Sequence, residues 1–423
     1  MNGGLSMVEM KSGYKMTEVG VIPEDWEVKE LSSISEIKSG KRLPKGSLVT
    51  SSKTPYPYIR VIDMNMGYLK LSDIMYVPEN VQPMISKYII SKNDIYISVA
   101  GTLGLVGKIP EELDGANLTE NANRITEIQC NRDYLMYYMM SPLIQNVIKA
   151  ERTIGAQPKL ALQRIRDFYI VLPRNNREQA AIATALSDVD SLIYALTKKI
   201  EKKKAIKQGL MQQLLAGKKR LPGFCGDWIK KNVSSVSDIF RGGSPRPIEN
   251  YIVKSGGVNW IKIGDVDSSA KYIFRTNEQI IESGIQYSRF VHSGDLLLSN
   301  SMSFGRPYIL KTEGCIHDGW LVIQNYDKYF DKEFLYYLLG SDEVLRQYKS
   351  LAAGSSVLNL NKDIVGKVVL FFPPTISEQT AIANILSDCD SEIAALEEKR
   401  DKYKEIKQGM MQQLLTGKIR LIK

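Results

Sequence analysis

The sequence has few residues that could bind a metal or act as a nucleophile. Its 423 residues include only four cysteines and two histidines. They are Cys130, Cys225, Cys315, Cys389, His292 and His317. The cysteines lie far apart and form no Cys-x-x-Cys pair, so a zinc site would need ligands from distant segments. We therefore expect reduced, buried thiols of a cytoplasmic protein, no metal site and no hydrolytic triad.

Long apolar runs are missing as well. The N-terminal stretch MNGGLSMVEMKSGYKM lacks the apolar core of a signal peptide. The best apolar run, Val368 to Phe372, is far shorter than the roughly 18 residues needed to span a bilayer. These absences argue against a membrane protein and favour a cytoplasmic location.

The motifs of nucleotide-using and DNA-modifying enzymes are absent. The only Pro-Pro pair, Pro373-Pro374, follows Phe372 and not an Asn or Asp, so it does not match the base-holding loop of an amino-methyltransferase. The segment GTLGLVGKI, from Gly101 to Ile109, has the wrong spacing for a P-loop and ends without the metal-binding hydroxyl. We expect a chain that carries no catalytic site and binds no cofactor of its own.

Composition indicates a soluble protein with a polyanionic partner. Hydrophobic residues make up 43% and charged residues 24% of the chain, and the formal net charge is +9. A length of this order predicts two or three domains, at about 150 residues each. A basic balance of this size is compatible with binding to nucleic acid.

An internal repeat organises the chain. EQAAIATALSDVDSLIYAL, from Glu178, recurs as EQTAIANILSDCDSEIAAL from Glu378, and IKQGLMQQLLAGKKRL, from Ile206, recurs as IKQGMMQQLLTGKIRL from Ile406. Each copy predicts a helix of about 40 residues, roughly 60 Å long. Asn175 with Glu178, and Thr375 with Glu378, fit a capping box. Gly217 and Gly417 are placed for a left-handed C-terminal cap.

Apolar residues in both helices recur with a mean period near 3.5, which is typical of a coiled-coil seam. The predicted spacer positions are Ile182, Leu186, Val189, Ile193, Leu196, Ile200, Ile382, Leu386, Cys389, Ile393 and Leu396. We predict that the two helices pair with each other. The alternative is that each packs on its own domain. A basic run in each helix, from Lys202 to Lys207 and from Lys399 to Lys407, is interpreted as a solvated face.

Two longer segments flank the helices and share a plan. Both contain short β-type runs separated by Gly, Pro and Ser turns. YIRVIDM from Tyr58 matches WIKIGDV from Trp260, and DIYISVAGTLG from Asp94 matches DLLLSNSMSFG from Asp295. The predicted fold is therefore mixed α/β (α+β), with two globular domains separated by two long helices. If the helices pair antiparallel, the molecule has pseudo-two-fold symmetry, which suits two half-sites on duplex DNA that differ because the domains have diverged.

Several strings resemble the conserved regions of the specificity subunits of Type I restriction-modification systems. They are TEVGVIPEDW (Thr17 to Trp26), the looser LPxxxEQxAI around Leu172 to Ile182 and Pro373 to Ile382, and KQGLMQQLLAGKKRLPGFCGDW (Lys207 to Trp228). The resemblance covers nearly the whole chain and begins near Met16. It implies the following division: an extension over residues 1–16, target-recognition domains over 17–174 and 222–374, and conserved spacer helices over 175–221 and 375–423.

That resemblance also implies a function and partners. A family member reads an asymmetric bipartite site in double-stranded DNA, binds two methyltransferase subunits and, through them, restriction subunits. S-adenosylmethionine would be held by the methyltransferase. The alternatives are a coiled-coil scaffold without a role on DNA, or the specificity module of a related fused restriction-methylation system.

DNA contacts are expected from cations and amides on loops and at helix ends. The candidates in the first domain are Lys38, Lys41, Arg42, Lys45, Arg60, Lys108, Arg124, Gln157 and Lys159. Those in the second are Arg241, Arg246, Lys262, Arg306, Asn359, Asn361 and Lys362. The loops IKSGKRLPK (Ile37 to Lys45) and IFRGGSPRP (Ile239 to Pro247) occupy matching places and mix cations with Gly and Pro, which suits close approach to a DNA backbone.

Overall fold

A computed structural model describes residues 12–151, 159–267, 270–300, 303–353 and 359–422. It divides into two compact units. The first unit consists of the described residues up to Leu196 together with those from Lys399 onward, and the second runs from Thr197 to Glu398. Each unit therefore contains one globular domain and a segment of each long helix. The first unit has the N-terminal part of the first long helix and the C-terminal part of the second, and the second unit has the remaining parts.

The first unit contains twelve described strands, of which most are short. They are β1 (Tyr14–Thr17), β2 (Gly20–Pro23), β3 (Trp26–Glu30), β4 (Glu36–Ser39), β5 (Pro57–Ile59), β6 (Met75–Tyr76), β7 (Ile89–Ile90), β8 (Ile95–Ser98), β9 (Val106–Lys108), β10 (Ala116–Leu118), β11 (Ala122–Thr126) and β12 (Tyr169–Pro173). Its helices are α1 (Gln82–Ile85), α2 (Arg132–Met140), α3 (Pro142–Ala150), α4 (Leu162–Arg166) and the start of α5 (Asn176–Leu214). Short 3-10 helices cover Leu31–Ser33, Val61–Asp63 and Glu111–Leu113.

The second unit follows a similar order of elements, but its described residues contain no counterpart of the β1–β2 hairpin. Its strands are β13 (Ile229–Asn232), β14 (Asp238–Arg241), β15 (Ile252–Val253), β16 (Val258–Ile261), β17 (Tyr272–Ile273), β18 (Glu278–Ile280), β19 (Arg289–Val291), β20 (Leu296–Ser299), β21 (Pro307–Leu310), β22 (Gly314–Ile316), β23 (Trp320–Gln324) and β24 (Val369–Phe372). Its helices are α6 (Lys332–Leu339), α7 (Asp342–Ala352), α8 (Lys362–Lys367) and the start of α9 (Ile376–Leu414). Short 3-10 helices cover Val233–Ser235, Ile248–Asn250, Ile263–Asp265 and Glu282–Tyr287.

Two main sheets form each globular domain. In the first unit their strand orders are β4-β11-β8-β9 and β6-β5-β10-β7, and in the second they are β14-β23-β20-β21-β17 and β15-β18-β16-β22-β19. The predicted correspondences are confirmed. The segments beginning at Tyr58 and Trp260 form β5 and β16 with the 3-10 turns that follow, and those beginning at Asp94 and Asp295 form β8 and β20. The predicted mixed α/β fold is also confirmed.

Both long helices close the apolar cores of the globular domains. In the first unit, Ile182 and Leu186 of α5 join a core that also contains Leu414, the last residue of α9, and the following Leu415. In the second, the equivalent Ile382 and Leu386 join a core with Leu214 and Leu215. Burial of apolar side chains is the main favourable contribution to such packing. The first turns of each helix thus pack on the domain that precedes it, and the last turn of the other helix packs on that same domain.

The cysteines in the described residues are free thiols. Cys315 is buried and Cys130 and Cys389 are partly buried, but Cys225 is exposed in the loop before β13. The expectation that all four thiols are buried is therefore wrong for Cys225, because the Gly-rich loop that carries it belongs to neither apolar core.

Candidate nucleic-acid interface

In the first unit, four loops converge at the end of the two main sheets. We call residues 40–45, 99–104, 119–121 and 159–161 the first edge. The Gly40 N–H donates to the carbonyl of Ala122 (3.0 Å) and the Lys41 N–H to that of Leu118 (2.8 Å). The N–H of Leu160 donates to the carbonyl of Val99 (2.9 Å). Backbone hydrogen bonds thus hold the loops in fixed register.

The second unit has an equivalent cluster of loops. We call residues 242–247, 300 with 303–305, 317–319 and 359–361 the second edge. The Gly242 N–H donates to the carbonyl of Trp320 (2.9 Å), and the Leu360 N–H to that of Asn300 (2.9 Å). The Asn300 side chain donates to the carbonyl of Asp318 (2.8 Å). The two predicted loops therefore leave matching strands, β4 and β14, at matching places.

Glycine is required where each predicted loop crosses its neighbour. A Cβ at position 40 would lie 2.1 Å from the carbonyl oxygen of Thr119, and one at position 242 would lie 2.1 Å from that of His317. No side chain fits at such distances, so only glycine permits this approach. The crossing brings the cations of one loop against the polar groups of the next.

Most of the predicted DNA-contacting residues fall on or next to these edges. The residues on the edges or within two positions of them are Lys38, Lys41, Arg42, Lys45, Lys159, Arg241, Arg246, Arg306, Asn359, Asn361 and Lys362. The side chains of Arg42 and Arg246 are 79% and 81% exposed, and each forms an ion pair at its edge. The structure thus collects residues from distant parts of the sequence into two surfaces.

Arg60 and Lys262 lie beside the edges but are engaged within the protein. Two guanidinium nitrogens of Arg60 donate to the buried carboxylate of Asp63 at 3.0 and 2.7 Å. The hydrogen bond with Asp63 raises the pKa of Arg60, although burial opposes it. Lys262 forms an ion pair of 2.8 Å with Glu278. These two cations have a structural role that sequence inspection did not predict.

Two of the candidates near the edges, Lys38 and Arg306, have neighbours outside the edge loops, as do two candidates farther away, Arg124 and Lys108. Lys38 and Arg124 are cross-strand neighbours on β4 and β11, where Lys38 pairs with Glu36 and Glu127. Lys108 lies 3.7 Å from Asp133 on α2. Arg306, which directly follows the second edge, lines a groove with Lys207 and Asp390 of the long helices. Gln157 lies outside the described residues.

The long helices run antiparallel within each unit. In the first unit, Glu178 pairs with Arg420 (2.5 Å) and Asp190 pairs with Lys407 (2.7 Å). As the residue number rises from 178 to 190 along the first helix, that of the paired residue falls from 420 to 407. In the second unit, Arg220 pairs with Glu378 (2.6 Å), and Lys207 pairs with Asp390. The predicted antiparallel pairing of the two helices is confirmed within each unit.

A buried carboxylate ties the end of one helix to the start of the other. Glu178 is 1% exposed and accepts from two guanidinium nitrogens of Arg420 and from the Trp26 indole. Glu378 is equally buried and accepts from Arg220. Bidentate arginine–carboxylate pairs combine strength with fixed geometry. The Asn175 side chain accepts from the Arg177 N–H (2.9 Å), so this half of the predicted capping box is present. The carboxylates of Glu178 and Glu378 instead bind an arginine beyond the other helix.

A second tie joins each globular domain to the helix pair. Tyr137 donates to Asp190 (2.8 Å), which also binds Lys407. Burial first, and then the Asp190 carboxylate, raise the pKa of Tyr137, so its hydroxyl stays a donor. Tyr337, Asp390 and Lys207 repeat the arrangement in the second unit. Lys207 and Lys407 are thus largely buried ion-pair partners, and the prediction of a solvated basic face is wrong for both.

The predicted spacer positions face protein. The buried ones are Ile182, Leu186, Leu196, Ile200, Ile382, Leu386 and Ile393. Val189, Ile193, Cys389 and Leu396 are partly buried. Leu196, Ile200 and Ile393 are buried although they belong to neither domain core. Gly217 and Gly417 adopt φ of 65° and 69°, as the predicted left-handed caps require.

One helix, Asn176–Leu214, is long and apolar enough to cross a membrane when judged by length and composition alone. A single such helix among the described residues is weak support for a membrane span. Its Glu178, Asp190 and Lys207 side chains are tied by ion pairs within the protein.

The family model described as "Type I restriction modification DNA specificity domain" matches the chain twice, over residues 23–208 and 226–408. The chain belongs to this family. It is 28% identical to the type I restriction enzyme MjaX specificity subunit of Methanocaldococcus jannaschii, with 97% of each chain covered. It is 25% identical to the MjaVIII specificity subunit of the same organism, over 95% of this chain and 94% of that one.

Solved structures show the same fold. A chain from a study of complex assembly and conformational transition in a type I restriction-modification system matches with a TM-score of 0.58 at 17% identity, covering 94% of this chain and 99% of that one. The S subunit from M. genitalium matches with a TM-score of 0.58 at 15% identity, covering 92% and 96%. The chain is thus a DNA-specificity subunit by family, and members of this family are generally non-catalytic recognition subunits.

The specificity-subunit strings now have a physical explanation. The glutamate of each EQ pair binds the arginine of the other repeat. The glutamine accepts from the backbone at the start of a neighbouring helix. Gln179 accepts from the Asn131 N–H (2.8 Å), and Gln379 accepts from the Asp331 N–H (2.9 Å). In the KQGxMQQLLxGKxRL string, the first lysine binds Asp190 or Asp390 and the arginine binds the buried glutamate. The strings therefore encode the two long helices, α5 and α9, and the ion pairs that join them, which we call the helical frame. The edges lie outside these strings.

Proposed function

We propose that this specificity subunit reads an asymmetric, bipartite site in double-stranded DNA, with one half-site read at each edge. The observation that carries the proposal is the contrast between frame and edges. Two kinds of tie in the frame occur in both units: the arginine–glutamate pair, and the tyrosine–aspartate hydrogen bond made by Tyr137 and by Tyr337. The edges share a backbone plan but differ in side chains, with Arg42 and Glu120 in one and Arg246 and Asp318 in the other. Unlike edges predict unlike half-sites.

The target-recognition domains are proposed to cover residues 17–174 and 222–374. The spacer segments are then 175–221 and 375–423, with residues 1–16 as an extension. Helix bounds of Asn176–Leu214 and Ile376–Leu414 support this division, since each spacer would contain one whole helix and its cap.

Two methyltransferase subunits are proposed to dock on the helical frame, with restriction subunits recruited through them. Near-identical helices in two copies support two equivalent docking faces, and Ile206 and Ile406 are exposed at equivalent positions. S-adenosylmethionine would be bound by the methyltransferase, and the chain itself would perform no catalytic step. We propose a cytoplasmic location, where the DNA and these partners are found.

The test is co-expression of the chain with a methyltransferase subunit of a Type I system, followed by mapping of methylated bases. We expect one bipartite motif whose two halves differ. A palindromic motif, or the absence of any defined motif in an assembled complex, would contradict the proposal.

A further inference from the structure

Each edge places a carboxylate beside an exposed arginine. In the first edge, Arg42 Nε lies 2.5 Å from Glu120 Oε1, and Glu120 also accepts from the Thr119 hydroxyl (3.0 Å). In the second, Arg246 Nη2 lies 3.6 Å from Asp318 Oδ2, and the Ser244 hydroxyl donates to Asp318 Oδ1 (2.9 Å). Glu120 and Asp318 occupy the same loop, which follows β10 in one unit and β22 in the other.

A carboxylate is an unfavourable group on a surface that only holds phosphates, because like charges repel. Glu120 is ionised: burial raises its pKa, but hydrogen bonds from Arg42, its own backbone and Thr119 outweigh that effect and lower it. Its side chain is 30% exposed, and that of Asp318 is 44% exposed. Both carboxylates therefore retain oxygen lone pairs that can accept further hydrogen bonds.

The glycine crossings hold these pairs in place without DNA. Gly40 lies two residues before Arg42, and its N–H is bound to the strand that follows Glu120. Gly242 fixes the second loop against the residues that flank Asp318. The pairs are thus pre-organised, and such pre-organisation lowers the ordering cost of binding.

We propose that Arg42 with Glu120, and Arg246 with Asp318, are base-reading pairs, each of which recognises the major-groove edge of a G·C base pair. The arginine would donate to the O6 and N7 acceptors of guanine, and the carboxylate would accept from the N4 amino group of cytosine. A single G·C pair presents the guanine acceptors beside the cytosine donor, and the arginine and carboxylate of the protein pair offer the complementary donor and acceptor side by side. The proposal rests on the function proposed above and adds the identity of specificity-determining residues.

The experiment uses the chain co-purified with its methyltransferase subunit and a pool of duplexes with randomised sequence. Glu120→Gln keeps the shape of the side chain but replaces an obligate acceptor by an amide, which suits adenine. We expect the G·C preference to fall about tenfold at one position of one half-site and to move toward A·T. Asp318→Asn should do the same at one position of the other half-site. Glu120→Asp, which keeps the acceptor, should retain the G·C preference.

The matched controls are Glu112→Gln and Glu313→Gln. Both are exposed glutamates that precede β10 and β22, at the opposite ends of those strands from Glu120 and Asp318. Neither control should change any position of the motif. A uniform change of affinity in Glu120→Gln and Asp318→Asn, with the base preferences of the wild type, would overturn the proposal and leave the carboxylates as holders of arginine. If the wild-type complex selects no sequence at all, the proposed function fails and this proposal with it.

Discussion

At the scale of single residues, side chains distant in sequence determine the frame. Glu178 and Arg420 are 242 residues apart, yet their pair is the most buried ion pair of the first unit among the described residues. The spacing of Asn175 and Glu178 indicated a capping box. No residue near Glu178 in the sequence indicated that its partner would be Arg420. Glu120 and Asp318 were not predicted either, because a search for cations and amides passes over carboxylates on a basic protein.

Arg420→Ala should destabilise the first unit. The substitution leaves the Glu178 carboxylate buried with only the Trp26 indole as a described side-chain donor. Removing one partner of a buried pair typically costs about 3 kcal/mol or more. Equilibrium urea unfolding of the full chain measures this loss.

Arg177→Ala is the control for that substitution, since Arg177 is exposed on the first turn of α5. It should change the free energy of unfolding by less than about 0.5 kcal/mol. Equal stability of the Arg420→Ala and Arg177→Ala chains would show that the buried pair contributes little.

At the scale of elements, the long helices were the most predictable part of the fold. Their apolar period and terminal glycines are local signals, and both helices have the predicted length, with 39 residues each. The strands are short and mostly buried, so the sequence indicated their presence without their order in the sheets. Sheet order depends on pairings between distant segments, which periodicity does not encode.

Leu196→Asp combined with Leu396→Asp should disrupt the helical frame. Leu196 is 7% exposed and Leu396 is partly buried, and a buried unpaired carboxylate typically costs about 3 kcal/mol or more. The altered chain should lose helix content by circular dichroism and should not retain the methyltransferase on co-purification.

The control for the double substitution is Leu192→Asp with Ala395→Asp, since both positions are exposed on the same helices. That chain should keep its helix content, because both added carboxylates stay in solvent. Retention of the methyltransferase by the Leu196/Leu396 variant, despite a measured loss of helix, would refute docking on the frame.

At the scale of the whole molecule, one sequence repeat gives two units with the same frame and different edges. The linear order domain–helix–domain–helix was readable from the repeat, but the assignment of residues from Lys399 onward to the first unit was not. That assignment depends on Arg420, Lys407 and Leu414 meeting residues encoded more than 200 positions earlier. The separation of a constant frame from variable edges is the physical basis of the proposed modular recognition.

The most direct measurement exchanges residues 17–174 for the corresponding domain of another specificity subunit and maps the bases methylated by the resulting complex. Because each edge lies within one unit, we predict that one half of the motif changes and the other half is retained base for base. A change in both halves, or in neither, would contradict the claim that the two units read DNA independently.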